Sequence, residues 1–364
     1  LEMACRRKHR INALSLFSCI GVGEYYLKRA GVDVVVATDI DSRRCRVHGQ
    51  LYPSTKTVCG DITSDDVKRD VLKAVGRKKI QMIISTPPCQ GMSSVGKNKG
   101  AALSDIDDSR NYLILETFPF IDSLSPDYVI FENVPQMLKV KMPWGDGERL
   151  KILEILEAKY GGVYDIKCDI FNSGDYGVPQ TRERVFIRLC RKGLSWHDPK
   201  RSEKQVTLRE AIGNLPSIEP GEVSALKNHW ARLHPTNQIE WLRHTPTGRS
   251  AFMNDEHYPR KSNGDKIKGY LNCYKRMSWD QPSPTVTMRN EIMSSQDKVH
   301  PGRSLGNGLW SDARVLTLRE LLIVMSLPGD LELPDDISDT ALRQFIGEGV
   351  PPLMMKKIID GIEL

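Results

Sequence analysis

Three short stretches carry residues whose types and spacing suit chemistry. Pro87-Pro88-Cys89-Gln90 places a thiol directly after two prolines. Glu132-Asn133-Val134 opens on a carboxylate, and Gln180-Thr181-Arg182-Glu183-Arg184 sets two arginines two apart. A lone cysteine is usually a small buried hydrophobe. Two prolines with fixed φ instead hold this one on a rigid turn, as a nucleophile requires. A thiolate beside a carboxylic acid suits a pyrimidine. Addition to C6 of cytosine makes C5 nucleophilic, and a proton or hydrogen bond at N3 lowers that barrier. Glu132 could also read the exocyclic amine. The run after the thiol, residues 91–100, is rich in Gly and Ser and holds Lys97 and Lys99. It suits a loop closing over an anionic substrate, and its lysines would favour thiolate over thiol. Arg182 and Arg184 share a face if extended. They could clamp a carbonyl or phosphate, or simply form surface ion pairs.

A second constellation lies near the start. Residues 15–27 read as a strand, a glycine turn and a helix, and Asp39-Ile40-Asp41 ends the next strand. Such a turn brings backbone N–H groups close to a ligand, and an acidic residue at the second strand's end can accept both hydroxyls of a ribose. A purely structural βα turn has the same appearance, since glycine-rich turns are weak signals. The spacing is not GxGxxG and no Lys-Ser/Thr pair marks a phosphate loop. A nucleoside cofactor without a pyrophosphate fits better than NAD.

These residues need a scaffold that brings them to one edge. Residues 11–17, 32–39, 79–85, 127–132 and 184–189 read as buried parallel strands. Residues 23–31, 111–122 and 148–160 have helical spacing between them. The alternation predicts a doubly wound parallel sheet, with Cys89 and Glu132 at its carboxyl edge. Helical patterns return at 316–330 and 351–362.

Between these parts the texture changes. Residues 186–314 hold 21 Lys and Arg against 13 Asp and Glu, whereas the whole chain is +6. The basic excess therefore sits entirely in this loop-rich stretch, as do five of the six tryptophans (196, 230, 241, 279 and 310). A basic segment permits a polyanionic partner. Arg243, Arg249, Arg276, Arg289 and Arg303 are candidate guanine readers, each also explicable as a phosphate or surface residue. The tryptophans read as the segment's core. None of the eight cysteines forms a CxxC pair, so no metal site or disulfide framework is expected, and a reducing cytosol is. No apolar run approaches a membrane span.

The order of motifs is Phe17-Ser18-Cys19-Ile20-Gly21-Val22-Gly23, Asp39-Ile40-Asp41, Gly60-Asp61-Ile62, PPCQ, ENV and QTRER, then residues 316–320 and 346–352. That order resembles the DNA (cytosine-5) methyltransferases of prokaryotic restriction–modification type, over nearly the whole chain. The resemblance implies a Rossmann-like, S-adenosylmethionine-dependent methyltransferase fold with a smaller, loop-rich target recognition domain. The catalytic domain would be 1–188 plus 314–364, and the recognition domain 189–313. It implies Cys89 as nucleophile and Glu132 as the acid on the base. Arg182 and Arg184 would support the cytosine and the catalytic loop, with Gln180 bracing them. S-adenosylmethionine would contact Phe17, Gly21, Asp39, Ile40, Asp61, Ile62, Pro88, Leu113, Glu348 and Val350. Double-stranded DNA would meet Gln90, Ser93, Lys97, Thr285 and Arg289. The cytosine must leave the duplex before attack. A cognate restriction endonuclease or second methyltransferase subunit is an implied partner, and the cytoplasm, on the nucleoid, the implied location.

Three residues depart from the family's pattern. Cys19 and Val22 stand where glycines are usual, and Glu348 where an asparagine is. A carboxylate at that position should alter the electrostatics at the cofactor's methionine end. Three rival readings stay open. They are a transfer RNA cytosine-5 methyltransferase, a DNA-binding subunit without catalysis, and a nicotinamide-dependent oxidoreductase. The long Gly/Lys loop and the large insertion favour DNA over RNA.

Overall fold

The computed structural model describes residues 10–89 and 109–363. Gln90, Ser93 and Lys97 fall outside them. The described residues pack as two compact units. One runs to Asn172 and adds Glu183–Lys200 and Met355 onward; the other is Ser173–Arg182 with Arg201–Met354.

The first unit is built on a seven-stranded sheet. Its elements begin with β1 (Ile11–Leu16), β2 (Val32–Asp39), α1 (Ser42–Leu51), β3 (Lys56–Cys59), α2 (Asp65–Val75) and β4 (Met82–Ser85). Next come α3 (Phe118–Leu124), β5 (Tyr128–Asn133), β6 (Lys141–Trp144), β7 (Glu148–Lys151), α4 (Ile152–Tyr160), β8 (Tyr164–Asn172) and β9 (Glu183–Arg191). The sheet order is β3-β2-β1-β4-β5-β9-β8, with β6 and β7 forming a separate hairpin. Strands β1 to β5 of the sheet pair in parallel. Every residue of β4 and β5 is buried, as expected of parallel strands covered on both faces. Helix α1 starts at the Asp39-Ile40-Asp41 corner because the Asp41 carboxylate caps it, accepting from the Arg43 N–H at 2.8 Å.

Four expectations are corrected here. The strand at 184–189 is β9, antiparallel to both β5 and β8. No helical crossover joins β8 to β9, and parallel pairing would need one. Residues 148–151, expected to be helical, form β7 because Gly145 and Gly147, at φ 59° and 87°, turn the chain back onto β6. Residues 23–31 make two short 3-10 turns, not an α-helix, since left-handed Gly21 and Gly31 stop them at either end. Most of 111–122 is likewise 3-10, over Ser109–Thr117, before α3 begins.

The second unit has less regular structure. Its elements are α5 (Leu208–Ile212), α6 (Thr236–Arg243), β10 (Ser304–Gly306), β11 (Leu309–Trp310), α7 (Leu318–Val324) and α8 (Asp339–Glu348). A last helix, α9 (Pro352–Ile359), contains the unit boundary. Residues 314–354 thus pack with 201–313, whereas the sequence grouped 314–364 with the sheet. Trp241, Leu242, Ala251, Tyr274, Met293, Val299, Ala313 and Val315 form one of this unit's cores. Beside it lies a buried charge network. Arg314 bridges Asp312 and Glu320, each at 2.7 Å. Trp241 and Trp279 are buried in this unit, but Trp196 belongs to the first, donating to the Ile358 carbonyl at 2.8 Å.

Candidate active site

Cys89 lies four residues beyond β4, half-buried, and packs with Phe17 against the sheet's main core. Two hydrogen bonds fix its turn. Thr86 Oγ1 donates to the Phe17 carbonyl at 3.1 Å, and Asn133 Nδ2 donates to the Pro87 carbonyl at 3.1 Å. The second bond joins the ENV triplet directly to the PPC turn, and it follows from register. Ser85 pairs with Phe131, so the next residues of both strands leave the sheet together at its carboxyl edge.

Glu132 is buried at the end of β5, and its Oε1 lies 3.2 Å from Arg184 Nε. Strand register brings this pair together. Glu132 faces Phe186 across the β5–β9 pairing, so Arg184 falls just past the end of that ladder. A carboxylate this buried needs a charged or hydrogen-bonding partner. Arg184 supplies it and holds the carboxyl in one orientation.

Arg182 is placed on the other unit. It is buried there, donating to the carbonyls of Val286 at 2.7 Å, Gly347 at 3.2 Å and Glu348 at 3.4 Å. Gln180 is its neighbour in function. Its Oε1 accepts from the Val286 N–H at 3.0 Å and its Nε2 donates to the Val324 carbonyl at 3.4 Å. Thr285 Oγ1 donates to the Thr181 carbonyl at 2.8 Å, and the buried Lys298 ammonium donates to the Thr285 carbonyl at 2.7 Å. Burial lowers the Lys298 pKa to about 8. The QxR and SPT segments therefore brace each other through main-chain contacts.

At the other constellation, the turn after β1 takes three left-handed conformations in five residues: Phe17 at φ 58°, Cys19 at 51° and Gly21 at 77°. Only the last is glycine, so the other two store strain. Asp39 pins the turn. Its Oδ2 accepts from the Cys19 N–H at 2.9 Å and its Oδ1 from the Asp41 N–H at 3.0 Å. Behind the turn lies a buried cluster that the sequence reading passed over. Ser15 Oγ donates to Glu24 Oε1 at 2.6 Å, His48 Nε2 lies 2.9 Å from Glu24 Oε2, and Tyr52 donates to the Gly21 carbonyl at 2.6 Å. Burial raises the Tyr52 pKa well above the usual tyrosine value. An acid one residue after a glycine turn was the available signal for this cluster.

The remaining expected cofactor residues divide in two. In the first unit, Ile40 is 65% exposed beside buried Asp39, an unusual position for an isoleucine. Ile62 is buried and Asp61 is exposed, its Oδ1 accepting from the Thr63 N–H at 3.0 Å. Pro88 and Leu113 are half-buried. In the second unit, Val350 is buried and Glu348 Oε1 accepts from Gln344 Nε2 at 3.1 Å.

Among the candidate guanine readers, Arg276 is fully buried, donating to the carbonyls of Leu242, His300 and Asp312. Burial lowers its pKa to about 9. Arg303 is half-buried on the Gly213 and Leu215 carbonyls, each at 3.0 Å. Both are structural and neither is presented to a groove. Arg243, Arg249 and Arg289 are exposed. Glu240, His244 and His257 cluster on the same unit, but the two imidazoles stack 3.4 Å apart with planes 4° from parallel. No ion can lie in both ring planes, so the trio as folded is not a coordination site.

A largely parallel sheet with an antiparallel strand beside β5, and a thiol and a carboxylate at its carboxyl edge, defines a Rossmann-like methyltransferase fold. The family of C-5 cytosine-specific DNA methylases matches residues 11–363. The chain is 46% identical to the type II methyltransferase M1.HgaI of Avibacterium volantium over 351 residues, covering 96% of this chain and 98% of the relative. It is 29% identical to the type II methyltransferase M1.HphI of Haemophilus parahaemolyticus over 355 residues, covering 96% and 86%. Among solved structures, the Entamoeba histolytica methyltransferase EhMeth aligns with TM-score 0.64 and 16% identity, covering 97% of this chain and 98% of that one. A mutant of Spodoptera frugiperda DNMT2 aligns with TM-score 0.61 and 18% identity, covering 96% and 99%. The chain belongs to the C-5 cytosine-specific DNA methylases and is a DNA (cytosine-5) methyltransferase.

Proposed function

We propose that this chain is the modification enzyme of a restriction–modification system, methylating one cytosine within a short DNA sequence. Cys89 acts as nucleophile, Glu132 as the acid at N3, and Arg184 as the residue that orients Glu132. The observation that carries this reading is the Asn133–Pro87 bond at 3.1 Å, which ties the thiol's turn to the carboxylate's strand.

The chemistry follows from those positions. The Cys89 thiolate adds to C6 of an extruded cytosine while Glu132 protonates or hydrogen-bonds N3, so electron density reaches C5. Bound S-adenosylmethionine supplies an electrophilic methyl group for C5. Loss of the C5 proton then re-forms the double bond and expels the Cys89 thiolate. The exposed Ile40 beside buried Asp39, and the Asp39-pinned turn at 17–21, fit an adenosine group. Ile40 and Ile62 would flank the adenine, Asp61 would face its amino group, and Asp39 would hold the ribose. Pro88 and Leu113 would complete the contact, with Glu348 and Val350 at the methionine end.

Residues 189–313 are proposed as the target recognition segment, with Thr285 and Arg289 on DNA. Gln90, Ser93 and Lys97 are assigned to DNA by the family pattern alone. A cognate endonuclease or second methyltransferase fits the type II names of the relatives. Among the described residues no helix is long and apolar enough to cross a membrane, and a cytoplasmic location on the nucleoid is part of the same proposal. The test is a trapping assay with 5-fluorocytosine duplex. Fluorine at C5 prevents the last step, so wild type should form a covalent protein–DNA adduct that survives denaturation. Cys89→Ser should form none. An adduct from Cys89→Ser, or none from a wild type that methylates ordinary DNA, would overturn the assignment.

A further inference from the structure

The second unit presents one exposed, preorganised basic hairpin that no motif marks. Its turn closes on itself. Arg260 and Lys266 bridge in antiparallel fashion, and the Lys261 N–H donates to the Asp265 carbonyl at 2.9 Å. Arg260 Nη1 donates to the Gly264 carbonyl at 2.8 Å, and Asn263 Nδ2 donates to Asp265 Oδ2 at 2.8 Å. Its base is anchored. Pro259 is buried, Ile267 packs on the Trp241–Tyr274 core, and Tyr258 donates to the Ile267 carbonyl at 3.1 Å. Gly269 lies so close to Phe252 that an added Cβ would fall 2.4 Å from its Cζ, so the segment beyond the turn is seated on that ring.

What projects from this base is cationic and apolar together. Residues 260–271 carry Arg260, Lys261, Lys266 and Lys268 against the single carboxylate of Asp265, which the Asn263 amide already engages. Lys261, Lys266 and Lys268 are exposed. Beyond them Tyr270 is 73% exposed and Leu271 59%, two large exposed side chains at successive positions. The unit's other basic residues are often committed elsewhere. Lys275 pairs with Asp297 at 3.0 Å, and Arg276 and Arg303 are held by carbonyls. A major groove admits a two-stranded ribbon, phosphates attract exposed lysines, and base edges and thymine methyls offer polar and apolar contact.

We propose that hairpin 258–272 is a DNA-docking element of this enzyme. Lys261, Lys266 and Lys268 lie on backbone phosphates, and Tyr270 with Leu271 meet the base edges and contribute to sequence choice. This rests on the reading of the chain as a methyltransferase of duplex DNA, and it narrows recognition to one hairpin.

The experiment is salt-dependent anisotropy with two duplexes, one holding the sequence the wild type methylates and one scrambled. In Lys261→Ala/Lys266→Ala/Lys268→Ala the slope of log affinity against log salt should fall by about 2 to 3, at about 0.9 per phosphate, equally for both duplexes. Lys73→Ala/Arg77→Ala/Lys78→Ala, exposed on the first unit, should leave the slope within about 1 of wild type. Tyr270→Ala/Leu271→Ala should keep the slope while discrimination between the duplexes drops about tenfold or more. Because all five hairpin side chains are exposed, melting temperatures should stay near wild type. Wild-type slope and discrimination in both hairpin variants would overturn the proposal. So would unchanged DNA binding with loss of self-association, which would assign the face to protein. A wild type that neither binds nor methylates duplex DNA would instead refute the underlying functional reading.

Discussion

Gly21→Ala tests whether the turn after β1 is the cofactor's seat. Gly21 sits at φ 77°, where an added Cβ would lie 2.4 Å from Tyr52 Cε2 and 3.0 Å from His48 Cδ2. The left-handed conformation alone costs alanine about 1–2 kcal/mol. The Tyr52 ring must also move, and its hydrogen bond to the Gly21 carbonyl at 2.6 Å is lost, for about another 1 kcal/mol. The turn already holds Phe17 and Cys19 at positive φ, so it has little slack. A penalty of about 2–3 kcal/mol expressed in the turn corresponds to roughly 30- to 150-fold in affinity. Calorimetric titration of S-adenosylmethionine into wild type and variant reads it directly, with DNA affinity as the internal control. The expected result is at least 30-fold weaker cofactor binding with DNA affinity within threefold. Cofactor affinity within threefold of wild type, in a folded variant, would refute the reasoning.

Two further outcomes follow from other residues. Burial lowers the pKa of His234 and of His300 to about 4. The unfolded chain therefore binds more protons between pH 6.5 and 4, and stability should fall as pH drops through that window, by up to about 1.4 kcal/mol per unit for each histidine. Both rings also accept backbone N–H groups, from Val315 at 3.5 Å and Gly302 at 3.1 Å, which only an unprotonated nitrogen can do. Urea midpoints equal at pH 7 and pH 5 would contradict this, and His234→Gln should flatten the dependence. Separately, Glu348→Asn should change S-adenosylmethionine affinity measurably if the carboxylate faces the cofactor's methionine end. Equal affinities would remove Glu348 as a cause of unusual cofactor binding.

Much of this is legible in the sequence, because the motifs lie where strands end. β1, β2, β4 and β5 announce themselves as apolar runs, and their carboxyl ends carry Phe17, Asp39, Cys89 and Glu132. Direction and pairing were harder to read. β9 has the same apolar run whether parallel or antiparallel, and only its partner β8, half-buried and weakly patterned, decides it. β7 reads as the first turn of a helix until the two left-handed glycines before it are taken into account. Arginine counts mislead in the second unit for a related reason. Composition gives charge but not burial, so Arg276 and Arg303 stood among the candidates for guanine, phosphate or surface roles when they serve carbonyls in an irregular core. Lys261, Lys266 and Lys268, in a stretch without any motif, are among the cations left in solvent, with Arg243, Arg249 and Arg289.

The central claim, that Cys89 drives methylation of a defined cytosine in DNA, is tested most directly by base-resolution bisulfite sequencing. The DNA would come from a host without cytosine methylation of its own, expressing either the wild type or Cys89→Ser. The account predicts 5-methylcytosine at one position of one short sequence with wild type and none with the variant. Methylation that persists in Cys89→Ser, or none from well-expressed wild type, would contradict it.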